Sequence, residues 1–558
     1  MQFPRNKIEQ NVKSTFNMRN RAMGAAKSWV CAIGTLSLSI LVAACGSSDR
    51  PAETNPLIFI GIDGATWDVI DDMIAAGDLP TFKDLKTRGA YGELISIGPM
   101  VSPVIWTTHA TGRFARDHGI LDFTYPYKPG PAKPVQSTHR QVPAIWNIAS
   151  DAGKSVAAVG YFASFPADTI NGVFVSERSR QGLDGAITPP NALEEISQQL
   201  DELNRLNKRK ALWSRFFPWD YEPPRRRSDD EPPAQQEASR LVTGRVDNRI
   251  ITDEFYRRAG QYLLESRDWD LFINYLRIID YAQHSLWYYF EDDDWDQKPN
   301  EGTRALLGDI IPESYRYTDE MLADVLKSAP DNANIVLVSD HGMGSATGRY
   351  SVAEERAKDL TGNHRRNGLF LAVGPDINPG RVVGMTTLEV MPLLTTLLGL
   401  PLSDELPGQV PYDALSDRLA DAGQPATVPS YGSYSFAGTV EISEEDQRRE
   451  MDESLKGLGY IGEFEVADAD DGGYDFWASS DAIISNQLVG EIMYYLIQGD
   501  QEAADAVLRD GKQFKARMGR AIPAGVESAL KSLRDVLPPD DYNEAAFEQF
   551  LARHSRTD

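Results

Sequence analysis

Three short apolar runs in this chain each lead into an aspartate. Leu57–Ile62 ends at Asp63, Leu271–Ile279 at Asp280 and Ile335–Ser339 at Asp340. Runs of this length, apolar without alternation and bounded by turn-forming residues, predict strands buried on both faces. Trp67–Ala75 has helical spacing, and further strands are predicted near Ser155–Ala163 and Gly172–Ser176. Strand and helix patterns that alternate predict an α/β fold, a mostly parallel central sheet sandwiched by helices. In such a sheet, ligands sit along the carboxyl edge, where the three aspartates are expected.

The alternation breaks twice. Residues 181–250 hold a charged helical stretch, Leu193–Lys210, followed by WSRFFPWDYEPPRRRSDDEPPAQQ. Paired prolines, three consecutive arginines and an acidic run read as an insertion between core segments 57–180 and 251–415. Trp213, Phe216, Phe217 and Trp219 either cap an active site or pin the insertion to the domain. Residues 416–558 begin acidic, and then Ile484, Leu488, Ile492 and Leu496 step by four. That spacing predicts an amphipathic helix, ended by Gly499 and followed by a second helix from Glu502, as a C-terminal helical region. No internal repeat of fixed period is visible.

The N-terminus has a different character. Residues 1–28 carry six Lys/Arg and one acid, and an apolar stretch from Trp29 to Ala44 follows, short for a membrane span. It ends in Leu41-Val42-Ala43-Ala44-Cys45, the pattern of a secretory signal over 1–44. A cysteine directly after the small residues resembles a bacterial lipobox, which implies lipidation of Cys45, a short tether over 45–56, and an envelope location, at the outer membrane because Gly46 is not Asp. The only other cysteine is Cys31, inside the signal, so no disulfide is expected. A net charge of −26 lacks the basic footprint of a nucleic-acid-polymer binder.

Two of the aspartates travel with histidines, as Asp280-x-x-x-His284 and Asp340-His341, and His364 lies further on. Imidazole nitrogen mixed with carboxylate oxygen suits borderline divalent metals. Three Asp and three His give three protein ligands for each of two ions and leave a position open on each, as catalytic zinc sites require. Two divalent ions, zinc with manganese as the rival, would stabilise both oxygens of an in-line displacement at phosphorus.

These segments resemble the alkaline phosphatase superfamily, in its type I phosphodiesterase/nucleotide pyrophosphatase branch. IFIGIDGATWDVIDDMIAAGDLPTFKDLKTRG is similar to the opening strand and first helix, SPVIWTTHATGRFARDHGI to the nucleophile segment, VLVSDHGMG to the second metal strand and GNHRRNGLFLAVGPDI to the last metal histidine. MPLLTTLLGLPL and LKGLGYIG resemble C-terminal parts of related chains. The resemblance covers about 57–180 and 250–415. It implies that Asp63, Asp340, His341 and the nucleophile oxygen hold one metal, and Asp280, His284 and His364 the other. The superfamily's nucleophile stands nine residues before the Thr of a Thr-Gly pair, here Thr111-Gly112, which selects Ser102 over Thr107 and Thr108.

Two departures qualify that carry-over. The branch's phosphate-holding Asn, three residues after the nucleophile, is Ile105 here. The phosphate must then be held by backbone N–H groups, the metals or another side chain. The arginine of the sulfatase C/S-x-P-x-R segment is missing after Ser102-Pro103, which argues against sulfatase activity. The expected function is extracytoplasmic, metal-dependent hydrolysis of phosphate esters through a Ser102 phosphoryl intermediate. A phosphotransferase acting on a lipid or glycan hydroxyl, and a non-catalytic surface lipoprotein, are the alternatives.

Overall fold

The computed structural model describes residues 54–507, apart from 126–132, 204, 223–230, 294, 296, 347–359, 437–442, 444–487, 489 and 501. The expectations for residues 1–53, Cys45 among them, and for LKGLGYIG lie outside the described residues. Nine strands form the central sheet. In chain order the strands that matter are β1 (Leu57–Ile62), β2 (Ala90–Ile95), β3 (Val156–Val159), β4 (Gly172–Val175), β5 (Ile187–Thr188), β6 (Leu271–Leu276), β7 (Asn334–Val338), β8 (Gly342–Ser345), β9 (Gly362–Arg365), β10 (Asn367–Val373) and β11 (Gly380–Arg381). The sheet order is β11-β2-β10-β7-β1-β6-β3-β4-β5, while β8 and β9 form a separate antiparallel ribbon. Pairing is parallel from β7 through β1, β6 and β3 to β4, and antiparallel where β10 meets β7 and β2. The expected mostly parallel α/β architecture is the one observed.

The central strands alternate their side chains between two cores, as the period of two requires. From β1, Ile58, Ile60 and Ile62 join one buried cluster, with Trp67 and Ile70 of helix α1 (Trp67–Ala76). Leu57 and Phe59 join the other, with Trp106 and Ala110 of helix α2 (Ser102–Thr111). Helices α3 (Val246–Ser266), α4 (Ile278–Phe290) and α5 (Ile310–Ser328) pack on the first face, and α6 (Val390–Leu397) on the second. Both faces are thus covered by helices, as continuous apolar strands demand.

The insertion's aromatics pin it to the domain. Trp213, Phe216 and Phe217 are buried in the first core, and the Phe216 ring packs at a tilt against Tyr317 of α5, centroids 5.8 Å apart. The charged stretch is two helices, Leu193–Leu203 and Leu206–Phe216. Near the C-terminus, residues 490–497 are helical, and Ile492, Met493, Tyr494 and Leu496 bury against Ile95, Ile97 and Phe114. No described helix is long and apolar enough to cross a membrane.

One predicted element ends early. The apolar run through Ile279 was expected to be a single strand, but β6 stops at Leu276 and α4 begins at Ile278. The cause is Asp253 on α3, whose Oδ2 accepts the backbone N–H of Arg277 and of Ile278, both at 2.7 Å. A carboxylate on free amides at a helix start stabilises it. Asp280 therefore lies in the first turn of a helix rather than on a strand end.

Candidate metal centre and nucleophile

Asp63 follows the last residue of β1, and Asp340 stands two residues after β7. Asp280 and His284 are one helical turn apart on α4, and so share a face. His364 comes from β9, opposite Met343 on β8. All six candidate ligands are buried.

They converge. Ligand atoms of Asp63, Asp340 and His341 lie within 4.8 Å of one another, as do those of Asp280, His341 and His364. His284 belongs to the second group as well. Its Nε2 is 2.8 Å from His364 Nε2 and 3.3 Å from Asp280 Oδ1, and His364 Nε2 is 3.7 Å from the same oxygen. The two sets of three expected ligands therefore each close, with His341 facing both.

The orientation of the imidazoles fits cation binding. Nδ1 of His284 faces the carbonyl of Gly362 at 3.2 Å, that of His341 the carbonyl of Gly342 at 3.1 Å, and that of His364 the carbonyl of Met100 at 2.8 Å. A ring that donates from Nδ1 to a carbonyl turns an unprotonated Nε2 inward, as metal-ligating histidines do. Asp63 Oδ1, both oxygens of Asp280, Asp340 Oδ2 and His341 Nε2 are buried with no aligned hydrogen-bond partner among the described residues. Buried polar atoms are normally paired, so a cluster of unpaired acceptors fits two divalent cations.

Protonation in the cluster is set by burial and by mutual charge: burial works to lower His284, but Asp280 outweighs it and raises that imidazole above its ordinary value. Burial, then the charges of Asp340 and Asp280, push Asp63 well above the usual carboxylate range. Burial and then Asp280 lift Asp340 to about 6. Burial also works to raise Asp280, but the surrounding His284, His364 and His341 outweigh it and hold that carboxyl low. Burial lowers His341 to about 4, and burial followed by His341 lowers His364 to about 4, so both are neutral lone-pair donors near pH 7.

Helix α2 and the loop that enters it touch this cluster on either side of Ser102. Its entry loop carries Met100, the partner of His364, and one turn into the helix Trp106 Nε1 reaches Asp63 Oδ2 at 3.4 Å. Ser102 is the first helical residue, buried, and its hydroxyl makes no hydrogen bond among the described residues. The rival hydroxyls are engaged. Thr107 Oγ1 donates to Pro103 O at 2.7 Å, and Thr108 Oγ1 to Val104 O at 3.1 Å beside His118 Nε2. These bonds back along the helix allow polar residues in a helix whose every residue is buried. Ile105 is buried away from solvent. Few backbone N–H groups are free at the helix start, because Pro103 has none and Val101 O already accepts those of Val104 and Ile105.

Several residues that shape the site escaped the sequence reading. Tyr275 donates its hydroxyl to Asp63 Oδ2. Gly64 N reaches Asp340 Oδ1 at 3.3 Å, and Gln283 Nε2 bonds Gly64 O at 2.8 Å, with Tyr315 behind it. Only the proximity of Tyr275 and Gln283 to Asp280 could have pointed to them. Arg365 and Arg366, which follow His364, bond backbone carbonyls: Arg365 that of Ser345, Arg366 those of Ser96 and Gly98. Of the aromatics after His284, Trp287 joins the core and, with Phe290, Trp67 and Arg365, also lines a cavity of about 770 Å³.

The model of the type I phosphodiesterase/nucleotide pyrophosphatase family matches residues 57–381. Among solved structures, murine ectonucleotide pyrophosphatase/phosphodiesterase 5 aligns at 12% identity over 65% of this chain and 100% of its own, with a TM-score of 0.38. Phosphonoacetate hydrolase from Sinorhizobium meliloti aligns at 20% identity over 52% and 57%, with a TM-score of 0.33. A putative sulfatase from Bacteroides thetaiotaomicron aligns at 13% identity over 68% and 77%, with a TM-score of 0.37. No curated protein matches the sequence. The family match spans β1 through β11, more than half of the chain, and with it every residue of the cluster: this chain belongs to the type I phosphodiesterase/nucleotide pyrophosphatase family.

Proposed function

We propose that this chain hydrolyses phosphate esters at a two-metal site, with Ser102 as nucleophile. The observation that carries the reading is the convergence of unpaired carboxylate oxygens and inward-turned Nε2 atoms beside the first turn of α2. Asp63, Asp340 and His341 would hold one divalent ion, and Asp280, His284 and His364 the other, with zinc favoured by the three imidazoles. Bound there, the ions supply positive charge that eases loss of the serine proton and stabilises the attacking and leaving oxygens. Ser102 Oγ attacks phosphorus in line, the ester oxygen leaves opposite it, and water later cleaves the serine–phosphorus bond and restores the hydroxyl. Trp106 and Tyr275 keep Asp63 in place throughout.

The test compares hydroxyls on one helix. Ser102→Ala is expected to keep two metal ions per chain and lose turnover by several orders of magnitude, whereas Thr107→Ala and Thr108→Ala remain active. A dead Thr107→Ala beside an active Ser102→Ala refutes the assignment.

We further propose, from the N-terminal sequence alone, that the protein sits in the bacterial envelope, anchored by lipid on Cys45. The basic start, apolar stretch and Leu-Val-Ala-Ala-Cys sequence support it. Cys45→Ser should block lipidation and leave uncleaved precursor. A wild-type mature chain that is freely soluble, starting elsewhere than residue 45, rules the anchor out.

A further inference from the structure

We propose that the C-terminal helix over residues 490–497 is a positioning element for the reaction: through Gly490 it fixes the loop that leads into Ser102. The inference rests on the hydrolase reading above. It adds to that reading an element beyond residue 381, where the family match ends.

The loop over residues 96–101 joins β2 to α2, which begins at Ser102. It touches the metal cluster at both of its ends. Ser96 donates its hydroxyl to the carbonyl of Asp340, and Met100 O faces His364 Nδ1 at 2.8 Å. Between these contacts stands Gly98, with φ of 103°, a conformation that only glycine adopts readily. Arg366 Nη1 donates to Gly98 O at 3.2 Å and to Ser96 O at 2.9 Å, so the turn is also tied to the strand that carries His364. A shift at Gly98 is therefore felt at Met100 and at the start of α2.

The C-terminal helix rests on this turn backbone to backbone. A Cβ on Gly490 would stand 2.3 Å from Gly98 Cα and 2.4 Å from its N, closer than such atoms can pack. With two glycines face to face, no flexible side chain lies between helix and loop to absorb a displacement. The helix is held against the segments that bracket α2. Ile492, Met493, Tyr494 and Leu496 share one buried cluster with Ile95 and Ile97, before the turn, and with Phe114, just past the end of α2. The Phe114 ring lies 5.9 Å from that of Tyr494, and Arg116 Nη2 lies 3.1 Å from Glu491 Oε2. Tyr494 donates its hydroxyl to the carbonyl of Pro407, which anchors the helix to the body of the domain. Attack in line needs its groups held to within about 0.5 Å, and a misplacement of about 1 Å costs about 100-fold in rate.

The test is steady-state hydrolysis of bis(4-nitrophenyl) phosphate and 4-nitrophenyl phosphate by the full chain in saturating zinc. Bound zinc and melting temperature are measured on the same samples. Gly490→Ala forces helix and loop apart, and kcat is expected to fall by about tenfold or more while KM changes by less than about threefold and zinc stays bound. Gly98→Ala places its Cβ in open space and strains the turn itself, so it should lower kcat by the same route. The double variant should then lose less than the product of the two single losses, as coupled sites do. Tyr221→Phe removes a hydroxyl bonded to Asp247 Oδ2 in the insertion and controls for general loss of stability. It should lower the melting temperature and keep kcat within about twofold of the wild type. Wild-type kcat in Gly490→Ala, zinc lost from that variant, or losses that multiply in the double variant overturn the inference and leave the hydrolase reading intact. So does a kcat loss in Tyr221→Phe as large as that in Gly490→Ala. A wild type that hydrolyses neither ester overturns the hydrolase reading, and this inference with it.

Discussion

Asp63 carries two hydrogen bonds on one oxygen and none on the other. Oδ2 accepts from Tyr275 and Trp106, and Oδ1 lies 3.5 Å from His341 Nε2. The division fixes the carboxylate plane and turns a single oxygen toward the cluster. Outer partners of this kind typically change metal affinity by about 10–100-fold when removed. Tyr275→Phe deletes only the hydroxyl and keeps the ring that packs against Trp106 at 4.6 Å. The expected result is one site weakened in a competitive chelator titration, with activity recovered at higher metal concentration. Unchanged affinity for both ions would show that the tyrosine is only core. At this scale the candidate ligands were legible in the sequence and their supports were not. Asp63, Asp340 and His341 stand in local motifs, whereas Tyr275 and Trp106 look like ordinary aromatics in apolar stretches until the fold brings them to one oxygen.

Elements set those positions through close approach. Gly61 in β1 lies under the rings of both supports: a Cβ there would meet Trp106 Cζ3 at 2.7 Å and Tyr275 Cδ2 at 2.9 Å. The glycine is needed for space, not for an unusual backbone. Gly61→Ala should therefore act as overpacking, lowering stability by roughly 1–3 kcal/mol. Because the displaced rings are those that hold Asp63, metal affinity should fall as well. Denaturant unfolding and metal titration of the same variant check both, and a stability loss with native metal affinity would separate the packing from the site. Elements were legible where periodicity alone decides them, as for β1, α1 and β7. The boundary between β6 and α4 was not, because it is decided by Asp253, which lies 27 residues before Asp280 in the chain and on another helix. The insertion illustrates the same limit: its aromatic content is visible in the sequence, but the face they bury against is set by Tyr317 and the α3–α5 layer.

For the whole molecule, the cluster places three carboxylates in an interior that offers them few donors, and the sign of that contribution to stability depends on bound cations. Burial and the charge of Asp280 raise Asp340 to about 6. A carboxyl with a folded value above its unfolded one imposes no penalty below about pH 4, and its full penalty above about pH 6. At pH 8, without metal, ionised Asp340 thus destabilises the fold by roughly 1–3 kcal/mol, since each tenfold change in an acidity constant is worth about 1.4 kcal/mol. With metal the same charge becomes a ligand, and each ion that binds only the folded chain adds about 2.7 kcal/mol at a hundred times its dissociation constant. Asp340→Asn keeps the shape and removes the charge. In chelator-treated protein at pH 8 it should raise the melting temperature, and in zinc-supplied protein it should lower it. At pH 4 the metal-free wild type and variant should melt much closer together, since Asp340 is then largely protonated in the folded chain. A structural carboxylate would not change sign with metal: if the asparagine shifts both forms in the same direction, Asp340 is not a metal ligand.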